Sequence, residues 1–167
     1  MKSAHSENVL YLLDANVLIR AHEDYYPLDR VPQFWAWLEL QARADRIRIP
    51  SEIHAELTIS HGPLGDWARS VKASLVLDEA ARADLVQRVL SEGYADDLTD
   101  SEAEEIGQDP FLIAYGLRDT ASRIVVTKEV SKPSKTRANR NIPDVCMGLG
   151  ITCINDFELF RRLNFRT

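Results

Sequence analysis

Five consecutive apolar residues, Val9-Leu10-Tyr11-Leu12-Leu13, run directly into an acid, Asp14. A stretch this short and this uniformly apolar offers no polar face to water, so it reads as a strand covered on both sides. Such strands belong to parallel sheets with helices on each face. Asn16 is placed to cap a helical segment over 17–22, so strand, acid and helix start follow one another closely. In open α/β sheets the ligand crevice lies outside the carboxyl ends of the strands, and Asp14 falls there.

The remaining pattern extends that reading. Pro32 suits the first turn of a helix running to about Asp45, with Phe34, Trp35, Leu38 and Ala42 at helical spacing. Arg46–Ile49 reads as a second strand, and Ser51 as the cap of a helix carrying Ile53 and Leu57 until Gly62-Pro63 breaks it. A helical segment 63–72 precedes a brief apolar stretch, Leu75–Leu77, and Asp78 is expected to cap a helix to about Glu92. Ser101-x-x-Glu104 resembles a capping box. Asp109-Pro110 opens an apolar helix, 111–117, ahead of a strand 124–126 and a polar loop to about Asn141. A short helix 143–149, a strand 151–154 and a terminal helix 156–163 complete the chain. Strands alternating with helices predict a single α/β domain over 1–167, a three-layer α/β/α fold with a mostly parallel central sheet.

Charge distribution is more informative than net charge. The overall −6 argues against coating nucleic acid by bulk electrostatics. Eleven acids from Asp78 to Asp109 face only Arg82 and Arg88, whereas Lys128, Lys132, Lys135, Arg137 and Arg140 follow within thirteen residues beside Glu129 alone. No run of 18 apolar residues is present and the first eight residues are polar, so a cytoplasmic chain with no membrane partner is expected. Cys146 and Cys153 lack metal-ligand spacing and read as reduced thiols. His5, His22, His54 and His61 show no zinc spacing, and His54 and His61 read as surface groups. Trp35, Trp37 and Trp67 are candidates for a homodimer surface, with at least one in the core.

Several acids fall where strands end. Asp14 follows the first strand, and Glu52 and Glu56 share a helix face after the second. Asp109 starts the apolar helix, Glu129 lies three residues past the 124–126 strand, and Asp144 begins the helix before the last strand. Carboxylates gathered in one crevice raise one another's pKa, and a hard divalent cation such as Mg²⁺ or Mn²⁺ relieves the repulsion. Such an ion can activate water and stabilise an in-line displacement, which favours metal-dependent phosphodiester chemistry. Each acid also has an ordinary reading: turn residue, helix N-cap or solvated surface group.

Four stretches resemble the motifs of PIN domains. Leu12-Leu13-Asp14-Ala15-Asn16-Val17-Leu18-Ile19 is similar to the first, and Ile49-Pro50-Ser51-Glu52-Ile53-His54-Ala55-Glu56-Leu57 to the second, whose acid matches Glu56. Gln108-Asp109-Pro110-Phe111-Leu112-Ile113-Ala114-Tyr115 is similar to the third, and Val125-Val126-Thr127-Lys128-Glu129 to the fourth. Ala15 stands where many PIN domains have Thr or Ser, and Glu129 replaces the usual Asp. The basic stretch followed by Ile142-Pro143-Asp144-Val145-Cys146 resembles a bacterial PIN-like subgroup encoded beside helix-turn-helix regulators.

That resemblance implies a metal-dependent ribonuclease, the VapC-type toxin of a toxin–antitoxin module with the helix-turn-helix protein as antitoxin. It implies Asp14 and Asp109 as primary ligands of Mg²⁺ or Mn²⁺, Glu56 as a direct or water-mediated ligand, and either Glu129 or Asp144 as the remaining carboxylate. Thr127 would position a ligand or the attacking water. Lys128, Lys132, Lys135, Arg137 and Arg140 would hold the RNA backbone. One rival is a phosphatase or receiver-like domain with Asp14 as nucleophile, disfavoured because Asn16 stands where a phosphatase needs a second Asp. Another is a degenerate, non-catalytic PIN-like module that binds RNA or protein, and a third is a partner-binding role for the acidic stretch 92–105.

Overall fold

A computed structural model of the chain describes residues 8–59 and 62–167. Its centre is a four-stranded, all-parallel sheet in the order β2-β1-β3-β4. These strands are β1 (Leu10–Leu13), β2 (Ile47–Arg48), β3 (Arg123–Val126) and β4 (Thr152–Ile154). The apolar run that opens the chain lies at the centre, with Leu12 and Leu13 fully buried. Leu12 pairs in register with Arg48 on one side and Val125 on the other. Fully burying a side chain of this size contributes about 1.5–3 kcal/mol.

Helices cover both faces and give the expected three layers. They are α1 (Ala15–Arg20), α2 (Pro32–Arg43), α3 (Ser51–Thr58), α4 (Pro63–Ser70), α5 (Lys72–Leu75), α6 (Ala83–Arg88), α7 (Asp100–Ile106), α8 (Asp109–Leu117), α9 (Ile142–Gly148) and α10 (Asp156–Arg162). The apolar α8 packs on β1 and β3. Gly116 permits this, since a Cβ there would lie 2.9 Å from Val125 Cγ2. Buried apolar residues from Tyr11 to Phe160 form one core. Among the described residues no helix is long and apolar enough to cross a membrane.

Several local expectations are corrected. The capping box of α7 is Thr99 with Glu102, not Ser101 with Glu104: Thr99 Oγ1 accepts the Glu102 N–H at 3.1 Å, and Glu102 Oε1 accepts the Thr99 N–H at 3.3 Å. Asp78 caps no helix. Glu79 beside it is held by the Arg123 and Arg118 guanidiniums, so residues 78–82 stay non-helical and α6 begins at Ala83. A π-helical turn, Val89–Tyr94, then closes that segment. Within the apolar stretch Leu75–Leu77, Val76 bridges Ile49 in parallel, extending the sheet edge beyond β2. Pro50 rather than Ser51 occupies the cap of α3.

Of the ring residues, His54 departs from expectation. Trp35 is buried and donates through Nε1 to the Tyr26 carbonyl at 2.7 Å, and its ring meets Trp67 edge-on with centroids 4.8 Å apart. Trp37 packs against Phe34 and Phe165, and Trp37 and Trp67 are half-buried against the core that holds Trp35. His54 is buried, not a surface group, because its Nε2 hydrogen-bonds the Ala68 carbonyl at 2.8 Å and ties α3 to α4. His5 and His61 lie outside the described residues.

Candidate functional site

The ladder between β1 and β3 continues one residue past the strands, with the Asp14 N–H donating to the Val126 carbonyl at 2.9 Å. Asp14 and Thr127 are thereby neighbours at the carboxyl end of the sheet, and the Thr127 hydroxyl donates to Asp14 Oδ2 at 3.0 Å. Asn16 does not cap α1, which already begins at Ala15. Its side chain instead spans the crevice: Nδ2 donates to Thr127 Oγ1 at 3.1 Å and Oδ1 accepts the Lys128 N–H at 3.0 Å. The chain after β3 is therefore fastened to the chain after β1 by side chains as well as backbone.

Four carboxylates from four segments act on one another here. Asp14 is pushed up from its ordinary 3.8 to about 6, chiefly by burial, against the Thr127 hydrogen bond and with help from the Glu129 and Glu56 charges. Asp109 starts α8 without serving as its N-cap, a place held by Gln108. Its carboxyl is pushed up from 3.8 to about 8, by burial first and then by Asp14, Glu129 and Glu56. Glu56, at the exposed rim of α3, is raised by partial loss of solvent. Mutual repulsion combined with burial is the signature of groups that need a compensating positive charge.

Glu129, not Asp144, completes this group. The Glu129 N–H donates to Thr127 Oγ1 at 3.2 Å, and its Oε2 accepts the Ile142 N–H at 2.7 Å. One carboxylate oxygen is spent at the start of α9, and its charge acts on both Asp14 and Asp109. Asp144 faces elsewhere. It accepts from the Ser131 hydroxyl and from the Lys132 N–H (2.8 Å), and these bonds hold its carboxyl below the ordinary range. Asp144 folds the loop after β3 and is not among the charges that raise Asp14 or Asp109. Glu52 accepts from the Tyr115 hydroxyl at 3.1 Å and likewise stays outside the group.

The donors suit a hard cation: four carboxylates supply only oxygen, with no thiol or imidazole among them. Among the described residues no three His, Cys, Asp or Glu side chains stand in a ready-made ligating arrangement. The fit therefore rests on donor chemistry and on the shared charge.

The basic residues divide. Arg137 pairs with Asp97 (2.7 Å) and Glu102 (2.9 Å), so the two opposite charge runs meet across the loop. Arg140 donates to the carbonyls of Gly93 and Asp144. Lys128 turns toward Tyr25 and Asp156. Lys132 and Lys135 are exposed and, among the described residues, have no acidic partner. One residue had no sequence signal: Tyr94, whose buried hydroxyl has no hydrogen-bond partner among the described residues and which feels the Asp109 and Glu129 charges. It sits in the π-helical turn, which breaks the periodicity that could have marked it.

No curated protein and no solved structure matches the chain. Over residues 11–167 it matches a family described as a domain of unknown function, and the chain belongs to that family, DUF4411.

Proposed function

We propose that this chain is a PIN-like, divalent-metal-dependent ribonuclease that acts in the cytoplasm. The observation that carries the reading is the convergence of Asp14, Glu56, Asp109 and Glu129, from four separate segments, on one crevice where burial and mutual charge raise the carboxyl pKa values. Asp14 and Asp109 are the primary ligands for Mg²⁺ or Mn²⁺, with Glu56 binding directly or through water and Glu129 supplying the fourth carboxylate. A divalent ion held there supplies a water of lowered pKa and offsets the charge that develops on the phosphate.

The protein's own groups keep this centre in order. The Thr127 hydroxyl holds one oxygen of Asp14, Asn16 holds Thr127, and the Ile142 N–H holds one oxygen of Glu129. The first and last of these each engage one carboxylate oxygen, of Asp14 and of Glu129. Lys132 and Lys135 are the cations open to the phosphate backbone. The likeness of Ile142-Pro143-Asp144-Val145-Cys146 to the subgroup encoded beside helix-turn-helix regulators supports a toxin role with such a protein as antitoxin.

The test is cleavage of end-labelled RNA, and of DNA of the same sequence, with Mg²⁺, Mn²⁺ or chelator. RNA cleavage that needs the metal and falls at least about 100-fold in Asp14→Asn is expected, the scale on which loss of a transition-state contact is felt. Cleavage that survives chelator or the substitution refutes the mechanism. RNA binding without cleavage under any metal favours the non-catalytic module instead.

A further inference from the structure

Lys128 links the carboxylate group to an aromatic pair that the fold leaves open to water. Its backbone N–H is fixed by Asn16, one residue after the threonine that holds Asp14. Its Nζ reaches outward, donating to the Tyr25 hydroxyl at 2.9 Å and to Asp156 Oδ1 at 3.3 Å. Asp156 Oδ2 is 3.2 Å away as an ion-pair contact outside hydrogen-bonding geometry. The same ammonium lies 4.9 Å from the ring centroid of Tyr25 and 4.8 Å from that of Phe157.

The two rings lie 5.4 Å apart and are tilted 55° to each other. Tyr25 is 36% exposed and Phe157 44% exposed, whereas their neighbour Phe160 is buried. Phe157 also walls an open groove of about 490 Å³ with Tyr26, Phe160, Arg161 and Phe165. Cation–π contact holds one face of each ring, and both rings stay partly open to water. Their surface therefore does not serve the core, and their orientation is set by a residue next to Glu129 and two positions from Val126.

Electrostatics decide what this surface fits. The crevice gathers four carboxylates, the net charge is −6, and three of the five basic loop residues are committed to internal partners. Phosphate contacts alone would hold a polyanion poorly beside such a site. Stacking of a base on an aromatic ring does not depend on charge and tolerates any sequence. A duplex conceals its base faces, whereas a single strand presents them. We propose that Tyr25 and Phe157 form a platform on which a base of single-stranded RNA stacks beside the scissile phosphate; this rests on the ribonuclease reading above.

The experiment measures binding of the full chain to single-stranded RNA carrying 2-aminopurine, in chelator, and KM for cleavage of the same RNA with Mn²⁺. Phe157→Leu and Tyr25→Leu are each expected to weaken binding and raise KM about 5- to 100-fold with little change in kcat, and Phe157→Tyr to restore both. RNA duplex of the same sequence is expected to bind more weakly than the single strand. Wild-type affinity in both leucine variants, or equal affinity for duplex, overturns the platform while leaving the nuclease reading intact. So does a result in which the leucine variants lose self-association by sedimentation but keep RNA binding, which makes the rings a protein contact. Binding that depends on the rings with no cleavage under any metal keeps the platform and removes the nuclease reading. No RNA binding at all removes both. Thermal melts separate any variant that fails to fold, in which case Phe157→Tyr and Tyr25→Phe against wild type, read by 2-aminopurine quenching, decide.

Discussion

Asp109→Asn should make the metal-free protein more stable, and the gain should grow with pH. In the fold the Asp109 carboxyl is pushed from 3.8 up to about 8. The folded-state value is the higher one, so the stability that the neutral carboxyl contributes is fully present below about pH 4. It is lost as the pH rises through about 8, because the unfolded chain is ionised throughout that window while the folded chain must hold a proton or bear a buried charge. The full interval from 3.8 to about 8 corresponds to roughly 6 kcal/mol at about 1.4 kcal/mol per pH unit. Asp14, Glu129 and Glu56 share that charge and the site is partly open, so about 2–4 kcal/mol is the working magnitude at pH 8. Asparagine has nearly the same shape and no charge, and among the described residues no side-chain hydrogen bond to Asp109 is lost.

Urea melts at pH 5, 6, 7 and 8 in chelator read the effect as a shift in midpoint at constant slope. The exposed Glu23→Gln serves as a control with no expected shift. Saturating Mn²⁺ should narrow the difference, because a ligand at about 100 times its Kd stabilises the wild type by about 2.7 kcal/mol and the variant by less. An Asp109→Asn protein no more stable than wild type at pH 8 in chelator would show that ionising Asp109 carries no cost in the fold.

Other side chains give separable outcomes. Thr127→Val removes the hydrogen bond that lowers the Asp14 pKa, so that pKa should rise further by carboxyl NMR titration, with about 1–3 kcal/mol lost in stability. Asp144→Ala should cost about 0.5–1.5 kcal/mol by removing the bonds to the Ser131 hydroxyl and Lys132 N–H, which water can replace on that exposed loop, yet leave Mn²⁺ affinity within about twofold. A large loss of affinity there would return Asp144 to the metal site. Tyr94→Phe should leave stability unchanged or raise it by about 1 kcal/mol, since its buried hydroxyl has no partner among the described residues. A clear loss in a thermal melt would reveal a partner for that hydroxyl.

How much of this was legible in the sequence depended on the range of the forces involved. The run Val9–Leu13 and the apolar 111–117 segment advertise burial on all sides, and both lie against the sheet centre as expected. Caps shifted by two residues at α7 because Thr99 and Ser101 both precede a Glu at the right spacing, and only the chain path chooses between them. The segment 78–82 was misread because Glu79 is captured by Arg123, a partner 44 residues away. Asp14, Glu56 and Asp109 could be aligned by strand ends alone. The choice between Glu129 and Asp144 could not, because it turns on a loop fold in which Ser131 and Lys132 claim Asp144. The basic run looked like one surface, but Arg137 and Arg140 spend their charge and donors inside the molecule.

The claim that the four carboxylates form a single divalent-cation site is tested most directly by calorimetric titration of Mn²⁺ at pH 7 in buffers of different ionisation enthalpy. Asp109, pushed up to about 8, carries a proton at that pH and must release it to bind the ion. Wild type should therefore bind Mn²⁺ with release of close to one proton, Asp109→Asn should bind more weakly with no such release, and Asp14→Asn should bind poorly or not at all. No saturable binding by wild type, or unchanged binding and proton release in both variants, would contradict it.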